Sequence, residues 1–251
     1  MPVPVPRPQP ERAHPRRRRS VAERGRANRA AHLVYQELRD DIVSMRREPG
    51  QPISEKEIAL ARGISRTPVR EALLRLADEQ LVEIFPQSGT FVSRIPIKVL
   101  PEAILVRRAL EELTARLAAE RASPEHVALL HETVERQRAM SQRGDRNGFH
   151  EADEAFHAVI AEAAGHPGIW QLIQQVKVQV DRYRRLTLPV PGRMSRVLDE
   201  HAAVVAAVES HDAERAATAM AAHLEALCAS IADVRELNPN YFIDGAELLL
   251  P

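Results

Sequence analysis

A chain of 251 residues, 44% of them hydrophobic, is long enough for two compact domains and apolar enough to bury their cores, which excludes global disorder. Its one cysteine, Cys228, forms no internal disulfide and points to a reducing, cytoplasmic setting. No apolar run approaches the ~18 residues of a membrane span, and the Pro- and Arg-rich start lacks the apolar core of a secretory signal, so no membrane partner is expected. The net charge of zero hides an asymmetry: residues 1–98 hold 19 Lys/Arg against 12 Asp/Glu, and the remainder 16 against 23. A polyanion is attracted to the first part and repelled by the second.

Residues 1–28 carry Pro and Arg without hydrophobic periodicity and read as a disordered basic arm, with Arg16 to Arg19 available to phosphates. A first domain is expected over 29–95. Leu33, Val34, Leu38, Ile42 and Val43 recur at helical spacing from 30 to 45, and Pro49-Gly50 breaks the chain. Ser54 with Glu57 forms a capping-box pattern opening a short helix that Gly63 ends. Pro68 suits the first turn of the next helix, whose Val69, Leu73 and Leu76, with Leu81 after them, are expected to face inward. The period then changes. LVEIF and TFVSR are β-type runs joined by a Pro86–Gly89 turn. Residues 96–101 read as a linker.

From 102 to 237 the pattern is helical throughout, with helices expected near 102–122, 125–142, 146–164, 168–187, 194–210 and 213–236. Residues 238–251 read as a loosely docked tail. The fold class is mainly α: an N-terminal winged helix-turn-helix with a small β-hairpin wing, followed by an all-α helical bundle.

The stretch GISRTPVREALLRLADEQLVEIFPQSGTFV resembles the winged helix-turn-helix of the GntR family, and VYQELRDDIVSMRREPGQPISEKEIA fits its first two helices. The resemblance implies a transcription regulator, not an enzyme, that binds double-stranded operator DNA as a homodimer. A helix end lying in the major groove presents its first residues to the bases, and here these are Ser65, Arg66 and Thr67, with Arg70 one turn on. Arginine reads guanine bidentately, which contributes ~1–3 kcal/mol of discrimination. Ser65 and Thr67 suit phosphates at a helix N-terminus. By resemblance, Arg66 and Arg70 contact bases, Lys56 contacts the backbone, and Gly89 with Thr90 forms the wing tip near the minor groove. The bland alternative pairs Arg66 and Arg70 with Glu71 or Glu55.

The second part resembles the FCD effector domain of the FadR subfamily, through VRRALEELTARLAA (106–119), DEAFHAVI (153–160) and EHAAVVAAVESHDAERAATAMAAHL (200–224). Asp153 and His157 stand four apart on one helix face, while His201 and His223 fall on two later helices. One carboxylate with three imidazoles suits Zn²⁺, Ni²⁺, Mn²⁺ or Fe²⁺ with positions left open. The resemblance implies such a divalent metal ion anchoring a small carboxylate effector. Arg107 aligns with a cavity-facing arginine of the family and is the effector-binding candidate; the plain alternative is a helical Arg107–Glu111 pair. His126, His131, His150, His166 and His211 read as structural or surface residues. Two other readings stand beside this one. A metal-dependent hydrolase would be expected to carry an HExxH or a nucleophile motif, and neither occurs. A purely structural helical domain would leave the four clustered residues without a ligand.

Overall fold

The computed structural model describes residues 21–228 and 231–244, so Arg16 to Arg19 and the end of the tail lie outside the described residues. Helix α1 (Val21–Val43) starts before the expected boundary at 29. Residues 21–28 add Ala, Glu and Arg, which favour helix without contributing an apolar stripe. Helix α1 then packs Val34, Leu38 and Ile42 against Val69, Leu73 and Leu76.

Strand β1 (Pro52–Ile53) leads to α2 (Glu55–Arg62), where the Ser54 hydroxyl accepts from the Glu57 amide at 3.2 Å and Gly63 closes the helix at φ 63°. The side chain thus satisfies one of the helix's orphan N–H groups. Helix α3 (Arg66–Asp78) follows a tight turn, and strands β2 (Val82–Phe85) and β3 (Gly89–Val92) form the wing. The sheet order is β1-β3-β2, antiparallel, with Ile53 and Ile84 both opposite Thr90. The two-residue β1 has no periodicity to betray it.

The expected linker at 96–101 is largely structured. Strand β4 (Ile95–Pro96) pairs in parallel with β5 (Phe242–Ile243), and α4 (Val99–Arg121) begins at once. The tail expected to be loose is therefore docked as far as Ile243. Phe242 enters a core with Ile95, Leu100, Ile104, Val180 and Tyr183, and this apolar burial offsets the entropy of ordering it.

The bundle continues with α5 (Pro124–Gln142), α6 (Arg146–Ala163), α7 (Pro167–Val176), α8 (Val178–Thr187), α9 (Arg193–Glu209), α10 (Ala213–Glu225) and α11 (Ile231–Leu237). Asp145 and Asp212 cap α6 and α10 with their side chains, and Ser123 forms a capping box with His126. Ala115, Ala118 and Ala119 of α4 meet Ala207 of α9 and Ala216 of α10 in one core. Such small side chains let helix axes approach closely, which draws the histidine-bearing helices together.

Two expected helices are divided. The segment 168–187 breaks at Lys177 into α7 and α8; no Pro or Gly marks this break, and the Lys177 side chain is held between two carboxylates. The segment 213–236 breaks after Glu225, where the Tyr183 hydroxyl donates to the Leu227 carbonyl at 2.9 Å and takes the place of a helical partner. Among the described residues no helix is long and apolar enough to cross a membrane.

Candidate metal centre and nucleic-acid interface

The first turn of α3 presents Arg66 and Thr67, preceded by the cap Ser65 and followed by Arg70; all four are exposed, as is Lys56 on α2. No ion pair among the described residues engages Arg66 or Arg70, so the pairing with Glu55 or Glu71 does not form. Gly89 is exposed at φ 116°, a backbone state that side chains rarely adopt. Thr90 is 6% exposed, because strand alternation sends it and Val92 to the same inner face, so at the wing tip it is Gly89 that lies open.

The four other candidates meet inside the bundle. Asp153 and His157 of α6, His201 of α9 and His223 of α10 are all buried, and each offers a ligand atom within 4.8 Å of the others. His201 Nε2 lies 3.3 Å from His223 Nε2, and both His157 Nε2 and His201 Nε2 lie 3.7 Å from an Asp153 oxygen. The outward nitrogens are held. His201 Nδ1 meets Gln137 Oε1 at 2.9 Å, His223 Nδ1 meets Glu200 Oε2 at 2.7 Å, and His157 Nδ1 stands against Glu111. Such outer partners fix ring orientation and leave the inner nitrogen as the ligand. The Phe156 ring stacks on His201 at 4.0 Å and further restrains it.

The charge states suit a cation. Burial, then the neighbouring imidazoles, push His201 and His223 well below the usual histidine range, so both are neutral donors. Burial works against an ionised Asp153, but Arg184 overcomes it and holds the carboxyl well below its ordinary value. Burial likewise opposes Glu111, and Arg107 with His157 keeps it ionised. Both His157 nitrogens are buried without a hydrogen-bond partner; Nδ1 lies against Glu111 and Nε2 faces the cluster.

Arg184 of α8 binds both Asp153 oxygens. A carboxylate offers about four lone-pair sites, so Arg184 leaves acceptor capacity for a metal. The donor set therefore fits a divalent ion of the Zn²⁺, Ni²⁺, Mn²⁺ or Fe²⁺ type. Arg107 is 0% exposed and paired through Nε with Glu111 Oε1 at 2.6 Å, so the helical pair forms. Its Nη1 and Nη2 remain without hydrogen-bond partners.

Sequence reasoning missed Gln137, Glu200 and Arg184. Glu200 adjoins a flagged histidine and was within reach. Arg184 lies in VDRYRRL, a polar run that imitates a solvated surface yet is buried almost throughout. Of the histidines read as structural or surface, His126 is a cap, His131 faces Glu209 at the surface, and His211 bonds the Ala119 carbonyl. His150 is buried, with Nδ1 unpartnered.

Residues 30–92 match the family described as bacterial regulatory proteins, gntR family, and residues 102–226 match the FCD domain. The chain is 31% identical over 209 residues to the HTH-type transcriptional repressor RspR of Escherichia coli (strain K12), spanning 83% of this chain and 92% of that one. It is 34% identical over 222 residues to an HTH-type transcriptional regulator of Streptomyces ambofaciens, covering 88% and 92%. Among solved structures, Escherichia coli McbR/YncC superposes with a TM-score of 0.69 at 23% identity, covering 81% of this chain and 97% of that one. A GntR transcriptional regulator from Rhodococcus sp. RHA1 also gives 0.69 at 23%, with coverages of 83% and 98%.

Proposed function

The chain belongs to the GntR family, as a DNA-binding transcriptional regulator with an FCD domain, and from that premise we propose that a divalent metal at Asp153, His157, His201 and His223 receives a small carboxylate effector and so sets operator affinity. The observation that supports this reading is the convergence of three imidazoles, two with the outer nitrogen hydrogen-bonded and the third with it against Glu111. When bound, the metal supplies a Lewis-acid position for the effector's carboxylate. Arg107, with two unpartnered N–H-bearing nitrogens one carboxylate away from His157, is the second contact for the acid.

Residues 29–95 read DNA and residues 102–237 sense the effector in this proposal. Lys56, Ser65, Arg66, Thr67, Arg70 and the Gly89 backbone make the contacts, with Arg66 and Arg70 on base edges. Coupling runs through α8. Its Arg184 grips Asp153, while two residues earlier Arg182 Nη2 donates to the Ser93 carbonyl at 2.6 Å, and Gln179 donates to the Gln80 carbonyl at 3.1 Å. Val178 packs into the core of the DNA-binding domain. A change at the Asp153–Arg184 pair thus acts on a helix seated in both domains, and an effector shifts the balance by its differential affinity for the two arrangements.

The regulator works in the cytoplasm as a homodimer reading a short palindrome. Leu105, Val106, Ala109 and Leu113 form an exposed apolar stripe on α4, and Leu172 and Val176 are exposed on α7; such apolar surface suits a partner copy.

The test is metal uptake by chelator-stripped full-length protein, read by elemental analysis, with and without His201→Ala/His223→Ala. At least one ion per chain that the double variant loses is expected, together with thermal stabilisation by small carboxylates only in the loaded protein. An ion content unaffected by the double substitution overturns the proposal.

A further inference from the structure

A cleft of about 990 Å³ separates α1 from α6, α7 and α8. Arg39 and Asp40 line it from the DNA-binding domain; His150, Glu154, Lys177 and Asp181 line it from the helical domain. His150 and Glu154 lie one turn apart on α6, and Asp181 comes from α8. Each of these three offers a ligand atom within 4.8 Å of the others.

The cluster is incompletely satisfied. Lys177 Nζ lies 2.5 Å from Glu154 Oε2 and 2.5 Å from Asp181 Oδ2. The remaining atoms, Glu154 Oε1, Asp181 Oδ1 and His150 Nδ1, are buried without a hydrogen-bond partner, and His150 is only 5% exposed. Two carboxylates share one ammonium, with Arg184 as a further cation near both, while burial and the neighbouring Asp181 push Glu154 up. Unpaired buried polar atoms are costly, and these three belong to residues whose ligand atoms converge, which calls for a common partner. That partner is a cation, because two of the atoms are carboxylate oxygens. Burial, then Arg184, lowers His150 to about 3, so its imidazole is a neutral lone-pair donor.

We propose that His150, Glu154 and Asp181 form a second divalent-cation site, separate from the Asp153 centre, at the floor of the cleft between the DNA-binding and helical domains. One nitrogen and two carboxylate oxygens suit Zn²⁺ or Mn²⁺. The ion takes the two free oxygens while Lys177 keeps the other two. It binds where α6 and α8 meet the cleft opposite α1, so its occupancy bears on how the DNA-binding domain is seated. This site does not depend on the Asp153 centre holding metal.

The experiment uses the full-length chain stripped by chelator, titrated with Zn²⁺ and separately with Mn²⁺, with bound metal counted after gel filtration. Two ions per chain are expected in the wild type, one in His201→Ala/His223→Ala, one in His150→Ala, and none in the triple variant. Asp181→Asn keeps the side-chain shape and serves where His150→Ala fails to fold; it too should lose one ion. Lys177→Met removes the competing ammonium and should tighten the second site by about tenfold or more, since a unit charge a few ångströms away is lost. A merely structural ion-pair network would not produce that gain. An ion count unchanged by both His150→Ala and Asp181→Asn overturns the inference, whatever the first centre holds. A wild type with one ion that His201→Ala/His223→Ala abolishes also overturns it and leaves the Asp153 centre standing. One ion abolished only by His150→Ala or Asp181→Asn sinks the Asp153 centre and supports this site.

Discussion

The arginines of the candidate DNA-reading face and those of the helical bundle are held in opposite ways. Arg66 and Arg70 project into solvent without an ion-pair partner. Arg107, Arg182 and Arg184 are at most 2% exposed, each tied to a carboxylate, carbonyl or amide. An exposed charge has little desolvation to recover and remains free for a phosphate or a base. A buried charge is committed, so altering its partner disturbs whatever it holds in place. Substitutions on the first surface should therefore change binding without touching stability, and substitutions in the second region should change both.

The largest effect belongs to Arg184. Arg184→Met strands the ionised Asp153 in the bundle and should cost ~3–5 kcal/mol in denaturant unfolding of the metal-free protein. Added Zn²⁺ should return more stability to this variant than to the wild type, because a cation again faces Asp153. Equal stability of the two proteins without metal would erase the contrast between the regions.

On the exposed face, Arg66→Ala and Arg70→Ala should each weaken operator binding by ~1–3 kcal/mol and relax preference at one base. Their thermal unfolding should match the wild type. Retained affinity and sequence preference in folded variants would remove both residues from the interface. Inside the bundle, Gln137→Leu frees the His201 ring to reorient and should lower metal affinity about 10–100-fold, measured by competition with a chromogenic chelator; no change would mean that Gln137 does not orient the ligand.

The smallest effect is expected at Ser54. Ser54→Ala removes the cap on α2 and should cost about 1 kcal/mol of stability, with a slight loss of DNA affinity through Lys56. An unaltered unfolding midpoint would show that the cap contributes nothing.

The two regions also differ in how plainly the sequence announces them. The DNA-reading helix is legible because cap, turn and apolar spacing are all local, and Val69, Leu73, Leu76 and Leu81 are each 0% exposed as their spacing implies. The burial of Thr90 is legible by the same means, since the alternation that buries Val92 buries it too. The four clustered candidate ligands are legible only through resemblance, because His201 and His223 lie far along the chain from Asp153. Their supports are silent. Nothing in the amphipathic pattern of α5 says that Gln137 faces His201, and the charged run around Arg184 looks solvated. The break at Lys177 depends on carboxylates from two helices, and the β4–β5 pairing joins segments almost 150 residues apart; neither leaves a local signal.

The decisive measurement is operator affinity of the wild type and of His201→Ala/His223→Ala, each metal-loaded and chelated, on fragments flanking the coding region at fixed salt. Wild-type affinity should shift at least fivefold or so between the two states, within the ~1–3 kcal/mol typical of coupled sites, while the double variant stays indifferent. Equal wild-type affinities in both states, or an undiminished shift in the double variant, would contradict control of DNA binding by the buried imidazoles.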